Sequence, residues 1–175
     1  MSNDLKFKIS HKITEENTSN FTIKPLDRGY GITIGNSLRR ALLTAVPGAA
    51  ITNVKIEGAH HEFSTIDGVT EDLADIIMNL KGVRFHLFES SVEPIFLKVK
   101  GPKTFTAADI QAVSDDFTIL NPDHHITDIA KGTTLDVELR LGIGKGYKSS
   151  EENKLNNSPV GMIPIDSIFN PVTKV

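Results

Sequence analysis

The spacing of apolar and polar positions changes period several times along the chain, and each change marks an element. The most regular stretch is Val69, Leu73, Ile76, Ile77 and Leu80, at i, i+4, i+7, i+8 and i+11. This predicts an amphipathic helix with Thr70 or Asp67 as cap, Glu71 and Asp72 in the first turn, Lys81 in the last and Gly82 as the stop. Strict alternation predicts strands elsewhere. Leu135, Val137, Leu139 and Leu141 alternate with Asp136, Glu138 and Arg140; Val83, Phe85 and Leu87 alternate with Arg84 and His86; from Ile51, Val54 and Ile56 alternate with Lys55 and Glu57. Ile95 to Val99 is β-prone, and Phe21 to Lys24 suits a half-buried strand at the end of a polar first 24 residues. Thr106 to Ile110 suggests at most a helical turn, and the polar run Tyr147 to Ser158 reads as a mobile loop.

Between Pro25 and Gly31 a proline and two glycines predict a turn leading into an extended Ile32-Thr33-Ile34. Gly35-Asn36 then offers a cap for a short helix over 37–46, closed by Pro47-Gly48. Leu38, Ala41, Leu42 and Ala45 form its apolar stripe, while Arg39, Arg40 and Leu43 lie on another side. A leucine beside two arginines is either an incidental exposed side chain or part of a partner patch, and spacing alone leaves both open. The elements sum to an α+β fold with few helices and much antiparallel sheet.

The 175 residues suffice for one ordinary domain or two small ones. With 19 Lys and Arg against 22 Asp and Glu the formal charge is −3, which disfavours a basic nucleic-acid clamp. A hydrophobic content of 39% with 23% charged residues fits a folded protein. Cysteine is absent, excluding disulfides, a thiolate nucleophile and Cys-ligated metal. No apolar run of signal-peptide or membrane-span length occurs, so a cytoplasmic protein without membrane association is expected.

Catalytic signatures fail at identifiable residues. Gly142-Ile143-Gly144-Lys145-Gly146-Tyr147-Lys148-Ser149 resembles a phosphate-binding loop, but Tyr147 stands where a glycine must let the backbone approach the phosphates. The alternative is a glycine-bearing strand end. His61-Glu62-Phe63-Ser64-Thr65 begins like a helical zinc motif, yet Thr65 occupies the second histidine's place. Asp123, His124, His125 and Asp128, with His60 and His61, carry metal-ligating atoms; solvated histidines in polar loops are the plainer explanation. These histidines define an alternative function, a small metal-dependent hydrolase. Otherwise no catalytic residue, cofactor or resident metal is expected.

The stretch Pro25-Leu26-Asp27-Arg28-Gly29-Tyr30-Gly31, then Gly35-Asn36-Ser37-Leu38-Arg39-Arg40, then His61-Glu62-Phe63-Ser64-Thr65, Gly68-Val69-Thr70-Glu71-Asp72 and Asn79-Leu80-Lys81-Gly82 closely resembles the N-terminal domain of the bacterial RNA polymerase α subunit. Collinear matches continue through Thr106 to Ile110, Gly144 to Tyr147 and Pro164 to Val172. The resemblance implies an assembly platform: a homodimer of α subunits that gathers the two large catalytic subunits, which carry the nucleotidyl transfer. It implies a dimerisation subdomain split in sequence, with residues 1–47 as its first segment and a β-rich subdomain inserted over 48–170. The returning segment would be at most begun at 171–175. The family's linker and small DNA-binding domain lie outside these residues, and no direct DNA binding is expected.

Carried onto this chain, the resemblance moves Arg39, Arg40 and Leu43 to the partner-patch reading and assigns apolar dimer packing to Tyr30, Ile34, Leu38 and Leu42. Guanidinium groups pair bidentately with carboxylates, and a neighbouring apolar side chain excludes water. His61, Glu62, Gly68, Glu71, Asp72 and Lys81 match regions facing the large subunits; Val69 also matches but fits the helix core better. Ala41 stands where many relatives carry a bulkier aliphatic residue, which would thin the dimer packing. Without the returning segment, Ile34, Leu38 and Leu42 are expected to expose apolar surface or to be covered by another chain.

Overall fold

The computed structural model describes residues 7–15, 17–59, 61–88 and 93–175. The elements in chain order are β1 (Lys8–Glu15), β2 (Thr18–Lys24), α1 (Tyr30–Thr44), β3 (Pro47–Ile56), α2 (Leu73–Lys81), β4 (Phe85–Leu87), β5 (Ile95–Lys100) and β6 (Lys103–Thr106). There follow α3 (Ala107–Gln111), β7 (Phe117–Ile119), β8 (His125–Ile129), β9 (Thr134–Lys145), β10 (Tyr147–Lys148), α4 (Ser150–Asn153), β11 (Ile163–Pro164) and β12 (Ser167–Ile168). The architecture is α+β, mostly strands with few helices, as the periodicity predicts. No helix among the described residues is long and apolar enough to cross a membrane.

The chain divides into two compact units, Met1–Ala41 and Leu42–Val175, with the division falling inside α1. In the first, β1 and β2 form an antiparallel hairpin in which Ile9 faces Ile23 and His11 faces Phe21, their rings stacked 5.6 Å apart. Alternation places Ile9, His11, Ile13, Phe21 and Ile23 on one face and Lys8, Ser10, Lys12, Asn20, Thr22 and Lys24 on the other. The apolar face is open: Ile9, Ile13 and Phe21 are more than 60% exposed, and Ile23 alone of the named face is half-buried. The expected half-buried strand at Phe21 to Lys24 is thus present but largely exposed.

α1 starts seven residues earlier than predicted, so Ile32 to Ile34 is helical and Gly35-Asn36 lies within the helix rather than capping it. The β-branched residues and glycines locally favour a turn and strand. The longer signal is helical: Tyr30, Ile34, Leu38 and Leu42 recur every four residues across both glycines. The Ser37 hydroxyl donates to the Thr33 carbonyl at 2.9 Å, within the same turn. Pro47-Gly48, expected to close the helix, already belongs to β3.

The second unit is built on a sheet in the order β5-β9-β3-β4-β7, with β11 also paired to β3. β3 and β9 run antiparallel from Pro47↔Lys145 to Ile56↔Val137. α2 packs on β3 and β8 and buries Leu73, Ile76, Ile77 and Leu80, the predicted apolar face. Its cap is Asp72, whose carboxylate accepts from Asp75 N at 2.9 Å, and it lies later in the chain than either Asp67 or Thr70. The shift leaves Val69 ahead of the helix, half-buried against the core and bridged to Ile129. Gly82 ends the helix as predicted. Its φ is −75°, and what it provides is room, since a Cβ there would lie 2.5 Å from His124 Nε2. α3 is the single turn expected after Thr106.

Residues 147–158 correct the expected mobile loop: Tyr147 and Lys148 pair with Ile168 and Ser167, and α4 follows. The cause is one buried side chain. Asn153 Nδ2 donates to Ile165 O at 2.7 Å and Ser167 Oγ at 2.9 Å, while Asn153 O accepts from Asn53 Nδ2 at 3.2 Å. At the other end of α4, Ser149 N donates to Glu152 Oε2 at 3.1 Å, an S-x-x-E spacing that is visible in the sequence. Replacing Asn153 by Ala strands the Ile165 carbonyl and is expected to destabilise the second unit by about 2 kcal/mol, read as a lower urea midpoint with unchanged m.

Candidate functional site

The phosphate-loop-like glycines occupy the end of β9, the glycine-bearing strand end. A Cβ on Gly144 would lie 2.6 Å from the Phe169 ring, and one on Gly48 2.0 Å from the Phe169 carbonyl oxygen. Buried Phe169 therefore packs directly on Gly144 and Gly48. Glycine here serves packing.

On α1, Arg39 and Arg40 are exposed, and they are the charged side chains of a helix that has no acidic residue. Tyr30 is 59% and Leu38 44% exposed, whereas Ile34, Leu42 and Leu43 are half-buried. No α1 residue is buried. The expected apolar exposure holds at Leu38 and only partly at Ile34 and Leu42.

A second group of site residues lies between β3 and α2. His61 to Ser64 form a turn in which Ser64 N donates to His61 O at 3.0 Å, and His61 Nδ1 is 3.3 Å from Ser64 Oγ. The turn is fastened to α2, because Leu73 N donates to Ser64 O at 3.1 Å. His61 and Glu62 point outward, and so does Phe63, which is 76% exposed. Phe63 is absent from the residues selected by resemblance; an aromatic between two polar residues in a turn was the signal available.

The remaining members of this group are tied into the fold, Glu71 and Lys81 half-buried, Gly68 and Asp72 exposed. Gly68 has φ +77°, and a Cβ there would lie 2.0 Å from Thr133 Oγ1; its carbonyl accepts from Ala130 N at 2.8 Å. Asp72 caps α2. Lys81 is ion-paired with Asp166. Glu71 Oε2 accepts from the buried Thr127 hydroxyl at 2.5 Å and from Asp128 N at 3.0 Å, which clamps the segment before α2 to β8. Burial pushes the Glu71 carboxyl up, but the Thr127 hydroxyl, the backbone N–H groups and the neighbouring His125 outweigh it and hold Glu71 below its ordinary range. The Thr104 hydroxyl, 2.6 Å from Asp128 Oδ1, lowers the Asp128 carboxyl, with His125 adding to the effect.

His124 and His125 do not act as a pair. His124 Nε2 donates to Asn79 O at 2.8 Å, while His125 is exposed beside Glu71 and Asp128. His60 lies outside the described residues. Among the described residues, the metal-ligating atoms that converge in a group of three belong to Glu71, His125 and Asp128, a set with one histidine.

Residues 54–170 match the family model described as the RNA polymerase Rpb3/RpoA insert domain. The chain belongs to this family. It is 52% identical over 155 residues to the DNA-directed RNA polymerase subunit alpha of Salinibacter ruber, covering 89% of this chain and 47% of that protein. The subunit alpha of Chloroherpeton thalassium is 49% identical, with coverages of 89% and 47%; that of Alkaliphilus oremlandii is 50% identical, with coverages of 94% and 52%. The chain spans about half the length of these curated relatives. The resemblance to bacterial α subunits read from the motifs is thereby established. The insert-domain match takes in His61 to Lys81 and leaves α1 outside it.

Two substitutions separate fold from surface in this insert domain. Gly68→Ala imposes a strained φ and a clash with Thr133, and is expected to destabilise by about 1 to 3 kcal/mol. Thr127→Val keeps the buried shape but removes the hydroxyl from Glu71, with an expected loss of about 1.5 to 3 kcal/mol. Thermal and urea unfolding of the two variants check both values.

Proposed function

We propose that this chain is part of the assembly platform of a bacterial RNA polymerase in the cytoplasm. It dimerises with a second α subunit and recruits the two large subunits that perform DNA-templated nucleotidyl transfer, making no covalent bond itself. The observation that carries the reading is the match of residues 54–170 to the insert-domain model, extended by similarity to α subunits over 89 to 94% of the chain. In this reading residues 1–47 begin the dimerisation subdomain, a later segment of the same domain completes it, and 48–170 is the insert. Supporting it, the first unit carries an open apolar hairpin face and a helix with no buried residue. Such surfaces are stable in water when another surface covers them.

Tyr30, Ile34, Leu38 and Leu42 contribute to the dimer contact, and Arg39, Arg40 and Leu43 to capture of a large subunit. On the insert, His61 and Glu62, with Phe63 between them, supply the outward contact. Gly68, Glu71, Asp72 and Lys81 act by holding that turn and α2 in place. The formal charge of −3 gives no support to a direct grip on DNA.

Size-exclusion chromatography with the two purified large subunits tests the reading. The expected result is co-elution, and failure to co-elute even when the chain is extended to the length of its relatives rejects it. Arg40→Ala is expected to weaken capture about 30-fold in a pull-down while leaving the unfolding midpoint of the second unit unchanged. Unchanged capture would remove Arg40 from the contact.

A further inference from the structure

Three ionisable groups of the second unit meet on its surface. His125 Nε2 lies 3.6 Å from Glu71 Oε1 and 3.6 Å from Asp128 Oδ2, and the three ligand atoms all lie within 4.8 Å of one another. In each carboxylate the other oxygen is already taken. Glu71 Oε2 accepts from Thr127 and from Asp128 N; Asp128 Oδ1 accepts from Thr104. The hydroxyls therefore orient both carboxylates and leave one oxygen of each turned toward the same imidazole nitrogen.

We propose that Glu71, His125 and Asp128 form a binding site for one divalent metal ion of the zinc class. A separation of 3.6 Å is too long for a direct hydrogen bond, for which about 2.7 to 3.2 Å is normal. It is close to the edge of a tetrahedron around a zinc ion with bonds of 2.0 to 2.2 Å, which is about 3.4 Å. One imidazole and two carboxylates are a ligand set that zinc accepts, and water completes the fourth position.

The backbone supplies an independent observation. His125 and Asp128 are three apart on β8, and a regular strand would send them to opposite faces. The β6–β8 register steps from Phe105↔Thr127 to Thr106↔His125, so Ile126 is an extra residue on β8. Ile126 and Thr127 are both buried, and His125 and Asp128 both face outward. This bulge is what brings the two ligands to the carboxylate of Glu71; bulges commonly re-aim side chains in this way. A bound ion would link β8 to the segment that precedes α2. The inference does not depend on whether the chain captures polymerase subunits.

The test is zinc binding by the metal-stripped chain in competition with a chromogenic chelator. One zinc per chain is expected, undisplaced by a tenfold excess of magnesium. His125→Gln and Asp128→Asn are each expected to lower zinc affinity at least tenfold with an unchanged far-ultraviolet dichroism spectrum, whereas His61→Gln leaves it as it is. Zinc at a hundred times its dissociation constant is expected to raise the Tm of the unsubstituted chain by about 5 °C, and not that of His125→Gln. Absence of stoichiometric zinc overturns the proposal, and so does wild-type affinity in either folded variant.

Discussion

The pairing of β3 with β9 is the constraint on which the rest of the second unit depends. β3 is hydrogen-bonded to β9 along one edge and, at Ala49 and at Asn53 and Val54, to β4 and β11 along the other. A shift between Ile51 and Asn53 makes Thr52 an extra residue and lets β3 serve two layers. Ile51, Val54 and Ile56 join the core with α2, while Asn53 reaches Asn153 and the Ser167 hydroxyl bonds to Ile51 O at 2.6 Å. The segment after β9 closes over the ladder through Phe169, which needs glycine at 48 and 144 to come that close. Loss of register between these two strands would uncover both layers at once.

What the sequence made legible were elements whose signal is local. α2 has a full apolar face and an acidic cap; β9 alternates from Leu135 to Leu139, and β5 is β-prone throughout. What it hid depends on residues far along the chain. Asn153 orders 147–158 through Ile165 and Ser167, and nothing near Asn153 announces those partners. The glycines of β9 look like a phosphate loop until Phe169 is placed on them. The start of α1 is obscured for the opposite reason: the local strand and turn signals of its β-branched residues and glycines are stronger than its spacing of four.

The candidate site shows the same division. The motifs led to the correct family and to segments that do lie on the surface, but a motif cannot say which of its residues face outward. Gly68, Glu71, Asp72 and Lys81 are held by Thr133, Thr127, the α2 amides and Asp166, whereas His61 and Glu62 flank an exposed Phe63 that was passed over. A motif match marks both kinds equally, since it carries no information on exposure.

That distinction governs how any loss of assembly must be interpreted. A substitution at Glu71 removes the acceptor for the buried Thr127 hydroxyl and for Asp128 N, so it frees the segment ahead of α2 together with the turn fastened to Leu73. A fall in capture that tracks stability would then report on this support. Among the described residues, the hydrogen bonds that hold the turn run through His61, Ser64 and Leu73 and not through the Glu62 side chain. The effect of a Glu62 substitution on capture would leave stability where it was. In the proposed reading, variants of the exposed residues of the 61–64 turn report on contact, and those of Gly68, Glu71, Asp72 and Lys81 on how firmly the second unit presents that turn.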